Sequence, residues 1–185
     1  KNRFDVKKFN KVFVKQSALI HSSEILNTLS SDYEVIPDEE EIRGDKTILL
    51  LTMKKGNFIK RCPCSSKSIS CGYYNINLVE GCFFDCNYCI LQHYLKNKPI
   101  TVYVNFEDMI NELEKVLIIN PYIRIGTGEL ADSLCMEETT NYAKKLVLFF
   151  KNKNAFFEIK TKGSDIHTIL KEKSGGKTVI SFSIN

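Results

Sequence analysis

From Tyr73 to its last residue the chain alternates short apolar, β-branched runs with amphipathic stretches of helical period, and this constrains the fold more than any other feature. Strands separated by helical patterns are joined by crossover connections, and crossovers build parallel sheets. The strand candidates are YYNINLV (73–79), ITVYV (100–104), YIRIG (122–126), AFFEIK (155–160) and TVISFSI (178–184). Between them FEDMINELEKVLI sets Met109, Ile110, Leu113, Val116 and Leu117 on one stripe, with Asn105 placed to cap its start. MEETTNYAKKLVLFF turns Tyr142, Ala143, Leu146, Val147 and Phe150 toward the sheet, and SDIHTIL, capped by Ser164, adds Ile166, Ile169 and Leu170. Upstream, KVFV, SSEILNTL, YEVI and KTILLLTM read as strand, helix, strand and strand, with Ser22 or Ser23 capping a helix that turns Ile25, Leu26 and Leu29 inward.

The expected class is therefore α/β. A small N-terminal α/β unit spans 1–58, a Cys-containing connecting loop 59–72, and a partial, mainly parallel β/α barrel 73–185. At 185 residues the chain is short for a closed eight-stranded barrel, which takes about 250. The last strand has no helix after it, and the first residue is Lys1 rather than Met, so the sequence predicts a fragment cut short at its C-terminus.

There is no run of 18 uncharged apolar residues, which excludes a transmembrane helix, and no apolar stretch behind the charged N-terminus, so a cytoplasmic location is expected. The net charge of +4 is spread along the chain; it permits a nucleic-acid partner without indicating one. The acidic stretch Asp38–Asp45 reads as a solvated loop.

Seven cysteines are many for a reduced compartment, where clustered thiols bind metals or do chemistry before they form disulfides. Six fall between Cys62 and Cys89. Cys82, Cys86 and Cys89 follow the first strand of the alternating region at spacing C-x3-C-x2-C. Three thiolates so placed can wrap one loop around a cube of iron and sulfide and leave its fourth iron without a protein ligand. Gly81 allows an unusual dihedral as the chain enters the loop. The other reading is a structural zinc site made of Cys86, Cys89 and two of Cys62, Cys64 and Cys71, which would make the chain a zinc-stabilised binding module without catalysis. Spacing alone leaves both open.

The loop, with Tyr88 just before its third cysteine, resembles the signature of the radical S-adenosylmethionine superfamily. The longer run GCFFDCNYCILQHYLKNKPITVYVNFEDMI resembles the spore photoproduct lyase branch, and the likeness continues to the terminal FSIN. The resemblance implies a truncated barrel of radical S-adenosylmethionine type. It also implies a [4Fe-4S] cluster on Cys82, Cys86 and Cys89, and S-adenosylmethionine on the remaining iron with Tyr88 beside its adenine. Gly126, Thr127, Gly128 and Glu129 match the motif that accepts the methionyl amino group, while Lys162, Ser183 and Asn185 sit where the family contacts the carboxylate or ribose. The implied activity is reductive cleavage of S-adenosylmethionine and hydrogen abstraction from an unidentified substrate. The electron would come from a donor such as a flavodoxin or ferredoxin, and the resemblance alone suggests a nucleic-acid substrate, a DNA lesion. Phe83, Phe84, Ile90 and Leu91 would keep water from the site.

Two positions depart from the pattern. In the spore photoproduct lyases a cysteine three residues before an aspartate returns hydrogen to the product radical. With Asp132 as that aspartate, the position holds Glu129. A tyrosine that follows the third cluster cysteine in those lyases is replaced by Ile90. Cys135 is a weak candidate for a catalytic thiol, its ordinary reading being a small buried hydrophobe. Cys62, Cys64 and Cys71 either bind a second metal or simply fill a reduced loop, and no second cluster is expected there. His21, His93 and His167 are isolated, and His93 beside the cysteine loop reads as a surface or packing residue.

Overall fold

A computed structural model describes residues 9–64, 69, 71–84, 86–164 and 166–184. Its N-terminal elements are β1 (Lys11–Lys15), a 3-10 segment (Gln16–Ser22), α1 (Ser23–Leu29), β2 (Glu34–Ile36) and β3 (Ile48–Thr52). β4 (Ile59–Arg61), β5 (Tyr73–Ile76), β6 (Val79–Glu80), α2 (Leu91–Tyr94), β7 (Ile100–Tyr103) and α3 (Phe106–Ile119) follow. The chain continues through β8 (Arg124–Gly126), α4 (Glu137–Thr140), α5 (Tyr142–Phe150), β9 (Phe156–Thr161), α6 (His167–Leu170) and β10 (Thr178–Phe182).

Among the described residues these strands form two five-stranded sheets, ordered β2-β1-β3-β7-β6 and β10-β9-β8-β5-β4. Every pairing is parallel except at one edge of each, where β6 runs against β7 and β4 against β5. The α/β class and the mainly parallel pairing expected from the alternation hold.

The stretch read as one strand over 73–79 is a single extended ribbon that changes sheet midway. β5 pairs with β4 and β8; the Asn77 N–H then donates to the Phe58 carbonyl, the Leu78 carbonyl accepts from the Tyr103 N–H, and β6 joins β7. A second difference concerns 100–103, expected in the barrel with its neighbours. It pairs instead with β3, Leu49 opposite Ile100 and Leu51 opposite Val102, and so completes the sheet begun by β1–β3. All four of these side chains are fully buried. Two apolar runs buried on both faces carry no local mark of which strand they will lie beside, so the partner is settled by the whole fold. Part of the expected connecting loop is strand as well, since Ile59–Arg61 forms the edge ladder with Tyr73–Ile76.

The helices bury the stripes that their sequences present. Met109 and Leu113 of α3 are fully buried, with Ile110, Val116 and Leu117 packed at the margin. Tyr142, Ala143, Leu146, Val147 and Phe150 of α5 all face the core, where Phe150 stacks on Phe157 at 5.0 Å between ring centres. The MEETT–NYAKK segment is two helices, broken at Asn141 (φ 53°). The buried Glu137 carboxylate supplies the cap for the second, accepting the Ala143 and Lys144 N–H groups at 2.7 and 2.9 Å. Asn105 precedes α3 but makes no cap bond to it; its amide exchanges hydrogen bonds with both backbone groups of Lys54 and donates to Asp108. Ser164 likewise does not cap α6, whose capping position is Ile166. No helix among the described residues is long and apolar enough to cross a membrane.

Candidate cofactor site at the strand ends

The loop that carries Cys82, Cys86 and Cys89 leaves β6 through Gly81, whose φ of +95° suits a residue without a side chain, and where a side-chain carbon would stand 3.2 Å from Ile100 Cα. The Gly81 N–H donates to the Leu130 carbonyl, tying the loop to the segment after β8. The Cys89 N–H donates to the Cys86 carbonyl, and the Gln92 side chain donates to the same oxygen, so the second half of the loop is a turn that runs into α2. All three thiols are partly buried. Burial pushes the Cys82 thiol up, while backbone N–H groups of Phe84 and Asp132, aimed at its sulfur, pull it the other way. N–H donors of this kind stabilise a thiolate and tune any cluster that it holds.

Two other segments converge on this loop. After β8, Gly126 lies where any side chain would run into the Tyr73 hydroxyl and the Glu158 carbonyl. Gly128 takes a φ of +100°, with a side-chain carbon there standing only 3.0 Å from Lys160 Cβ and Ser133 Oγ. Glu129 accepts a 2.6 Å hydrogen bond from the side chain of Asn77, which is buried at the point where the ribbon changes sheet. Asp132 is the hub. Its carboxylate accepts Thr161 Oγ1 at 2.8 Å, the Lys162 N–H at 2.7 Å and the Leu134 N–H at 3.0 Å, locking the 127–135 segment to the end of β9. From there Lys162 reaches over the Tyr88 ring at 5.1 Å, and its ammonium is held up by Tyr88 first and then by Cys86 and Asp132. Phe84 stands 3.7 Å from where a side chain on Gly163 would begin.

The structure thus brings together Cys82, Cys86, Cys89, Tyr88 and Lys162, with Gly126, Gly128 and Glu129 in the adjoining segment tied to the same hub. Ser183 is exposed, tied by its N–H to the Thr161 carbonyl, and Asn185 lies outside the described residues. Cys135 packs against the core, with its thiol facing the Gly81 carbonyl at 3.8 Å and pushed up by burial. His93 is an exposed residue of α2. Asp132, Thr161, Ser133 and Asn77 were not among the sequence-derived site residues; Asp132 carries a local signal in its Asx turn to Leu134, whereas the others act only through distant contacts.

The remaining cysteines stand apart from this loop. Cys62, Cys64 and Cys71 place their sulfurs all within 4.8 Å of one another, with Cys64 and Cys71 at 3.3 Å. The crowding, Cys64 first, pushes the Cys62 thiol up to about 11. A single ion shared by Cys86, Cys89 and two of these three is not what the described residues assemble.

Comparison with known proteins follows the same lines. The family model of spore photoproduct lyase matches residues 11–185. The spore photoproduct lyase of Clostridium acetobutylicum is 27% identical over 157 residues, covering 81% of this chain and 45% of that protein. Among solved structures, a spore photoproduct lyase complexed with dinucleoside spore photoproduct superposes with a TM-score of 0.80 at 23% identity, over 97% of this chain and 58% of the other. A variant with bound AdoMet and dinucleoside spore photoproduct gives a TM-score of 0.78 at 21% identity, with the same coverage. The chain spans about half the length of these relatives. With the family model matching all but the first ten residues, the chain belongs to the spore photoproduct lyase family.

Proposed function

We propose that this chain forms the cofactor-binding part of a radical S-adenosylmethionine lyase that acts on a thymine photoproduct in DNA. The observation that carries the reading is the convergence of three independent segments, 81–89, 126–133 and 161–163, on one partly buried group of thiols.

The donor set fits a [4Fe-4S] cluster. Cys82, Cys86 and Cys89 come from one turn-rich loop, none of them falls in a compact group suited to one small ion, and N–H groups point at the Cys82 sulfur. These three would hold the cluster. When bound with S-adenosylmethionine, such a cluster supplies one electron to the sulfonium and so a carbon-centred radical able to abstract hydrogen. Gly126 and Gly128, packed closely against Tyr73, Glu158, Lys160 and Ser133, would set the strand end beside that cofactor, and the Glu129 carboxylate, oriented by Asn77, would accept its amino group. Lys162, positioned by the bond from its backbone to Asp132, would meet the carboxylate, with Tyr88 against the adenine. Ser183 and Asn185 would complete the contacts to carboxylate or ribose. Phe83 and Phe84 would limit water in the site. A flavodoxin or ferredoxin would supply the electron.

The first test is the iron and acid-labile sulfide content of protein prepared without oxygen, with the electron paramagnetic resonance spectrum of the reduced form before and after adding S-adenosylmethionine. About four iron and four sulfide per chain, with a spectrum that the cofactor changes, is the expected result. Zinc without sulfide at the 81–89 loop would overturn the reading. The substrate is tested separately, by incubating the reduced, loaded protein with an oligonucleotide carrying the thymine photoproduct. The departures at Glu129 and Ile90 make that a distinct question from cofactor binding.

A further inference from the structure

We infer that Cys62, Cys64 and Cys71 form a second metal site, which takes a single thiophilic ion of the zinc class and closes the hairpin between β4 and β5. The register of that hairpin explains the grouping. Ile59 pairs with Ile76, Lys60 with Asn75 and Arg61 with Tyr74, and the Cys62 N–H adds one more rung by donating to the Tyr73 carbonyl. Carried two residues further, the same register sets Cys64 opposite Cys71. Past the Cys62 rung the chain leaves the extended conformation, with Gly72 at a φ of +64°, and the three sulfurs are gathered where the ladder ends. A turn bond from the Cys64 N–H to the Cys62 carbonyl, and the bond from the Cys71 N–H to the Cys64 sulfur, hold the approach.

The spacing selects the kind of ion. A tetrahedral zinc bound at about 2.3 Å to each sulfur keeps its sulfurs about 3.8 Å apart. The three sulfurs here all lie within 4.8 Å of one another, the separation of ligands on one ion. Thiolates on different irons of a cube stand further apart, so this group suits a small soft ion and the 81–89 loop suits the cluster. Three thiolates satisfy three of four positions; Cys71 is exposed, and water can take the fourth. Binding would displace the thiol protons into solvent, making affinity rise with pH.

The test uses cobalt(II) as a spectroscopic substitute for zinc, on the full chain carrying Cys82→Ser, Cys86→Ser and Cys89→Ser so that the other loop cannot contribute. One equivalent is expected to bind with intense thiolate-to-cobalt charge-transfer absorption and visible bands of tetrahedral strength, to be displaced by zinc, and to be lost on adding Cys71→Ser. Absence of the charge-transfer band, or its survival in the Cys71→Ser chain, overturns the inference. Should the triple variant not fold by circular dichroism, zinc is measured in the anaerobic wild-type chain and in Cys71→Ser. One zinc per chain falling to none, at unchanged iron, supports the site; zinc absent from both, or equal in both, overturns it.

Discussion

The two groups of cysteines in this chain lie within 28 residues of sequence, yet their backbones differ in kind. The 62–71 group sits at the end of a strand ladder, where a turn at Cys62–Cys64 and a left-handed Gly72 gather three sulfurs within 4.8 Å of one another. The 81–89 group sits on a loop that a left-handed glycine opens, with a local N–H from Phe84 and a distant one from Asp132 aimed at the Cys82 sulfur. Residue type is the same in both. On the assignments proposed above, what would separate a site for one ion from a site for a cluster is the local backbone that carries the thiols.

The sharpest way to break the comparison is to remove one thiol from each group. Cys86→Ser is expected to abolish iron and sulfide binding while leaving the cobalt or zinc at the hairpin, and Cys71→Ser to do the reverse, both read as metal per chain after anaerobic reconstitution. Loss of both metals in either variant would mean that the groups form one site.

A control that unsettles the fold without touching either group comes from Glu137. Burial raises its carboxyl to about 7 from an ordinary 4.5, outweighing the two N–H groups that it caps. Between those values the unfolded chain has released the proton and the folded chain still holds it, so stability falls as pH rises through this window and levels off above about 7. The difference of 2.5 units corresponds to about 3 kcal/mol. Thermal melts from pH 4.5 to 8 are expected to show this slope, and Glu137→Gln to flatten it. If the two metal sites are structurally independent, neither metal stoichiometry changes in the folded variant.

These contrasts also show what the sequence carries. The likeness of 81–89 to a family signature was legible because its spacing is local. The helical stripes of α3 and α5 were legible for the same reason, Met109 and Leu113 in one and Tyr142, Ala143, Leu146, Val147 and Phe150 in the other falling on the buried face. Sheet membership was not. Residues 73–80 are one extended run whether they feed one sheet or two, and the change at Asn77 depends on Phe58 and Tyr103 arriving on either side. The partner of Ile100–Tyr103 is β3, with Leu49 opposite Ile100 far back in the sequence, where an apolar run gives no register of its own. The hub was hidden likewise: Asp132 meets Thr161 across 29 positions and Asn77 meets Glu129 across 52. The grouping of Cys62, Cys64 and Cys71 needed the hairpin register, which no spacing rule contains.

Asp132 sharpens the contrast at a smaller scale, because its contacts serve only one of the two groups. Asp132→Ala leaves the buried Thr161 hydroxyl without its acceptor and frees the Lys162 N–H, a loss of about 1–3 kcal/mol by thermal melting. It also unties the segment that directs an N–H at Cys82, so the reduced cluster is expected to change its spectrum and potential while cobalt at the hairpin does not change. An equal perturbation of both would show that Asp132 acts through the general stability of the fold.

The smallest effect on the fold, and the most selective, is expected at Lys162. Its ammonium lies over Tyr88 and is drawn by Cys86 and Asp132, all on the cluster side, while its backbone N–H is already fixed by Asp132 whatever the side chain. Removing the side chain therefore leaves the ladder from β9 into the loop intact. Lys162→Ala should melt with the wild type, keep its iron and its hairpin metal, and weaken S-adenosylmethionine binding several-fold, measured by titrating the cofactor-induced change in the reduced spectrum. Lys162→Arg, which keeps the charge over the ring, should recover most of that affinity. A variant that binds the cofactor as tightly as wild type would remove Lys162 from the site. A variant that loses iron as well would make the lysine a support of the loop rather than a contact for what the loop holds.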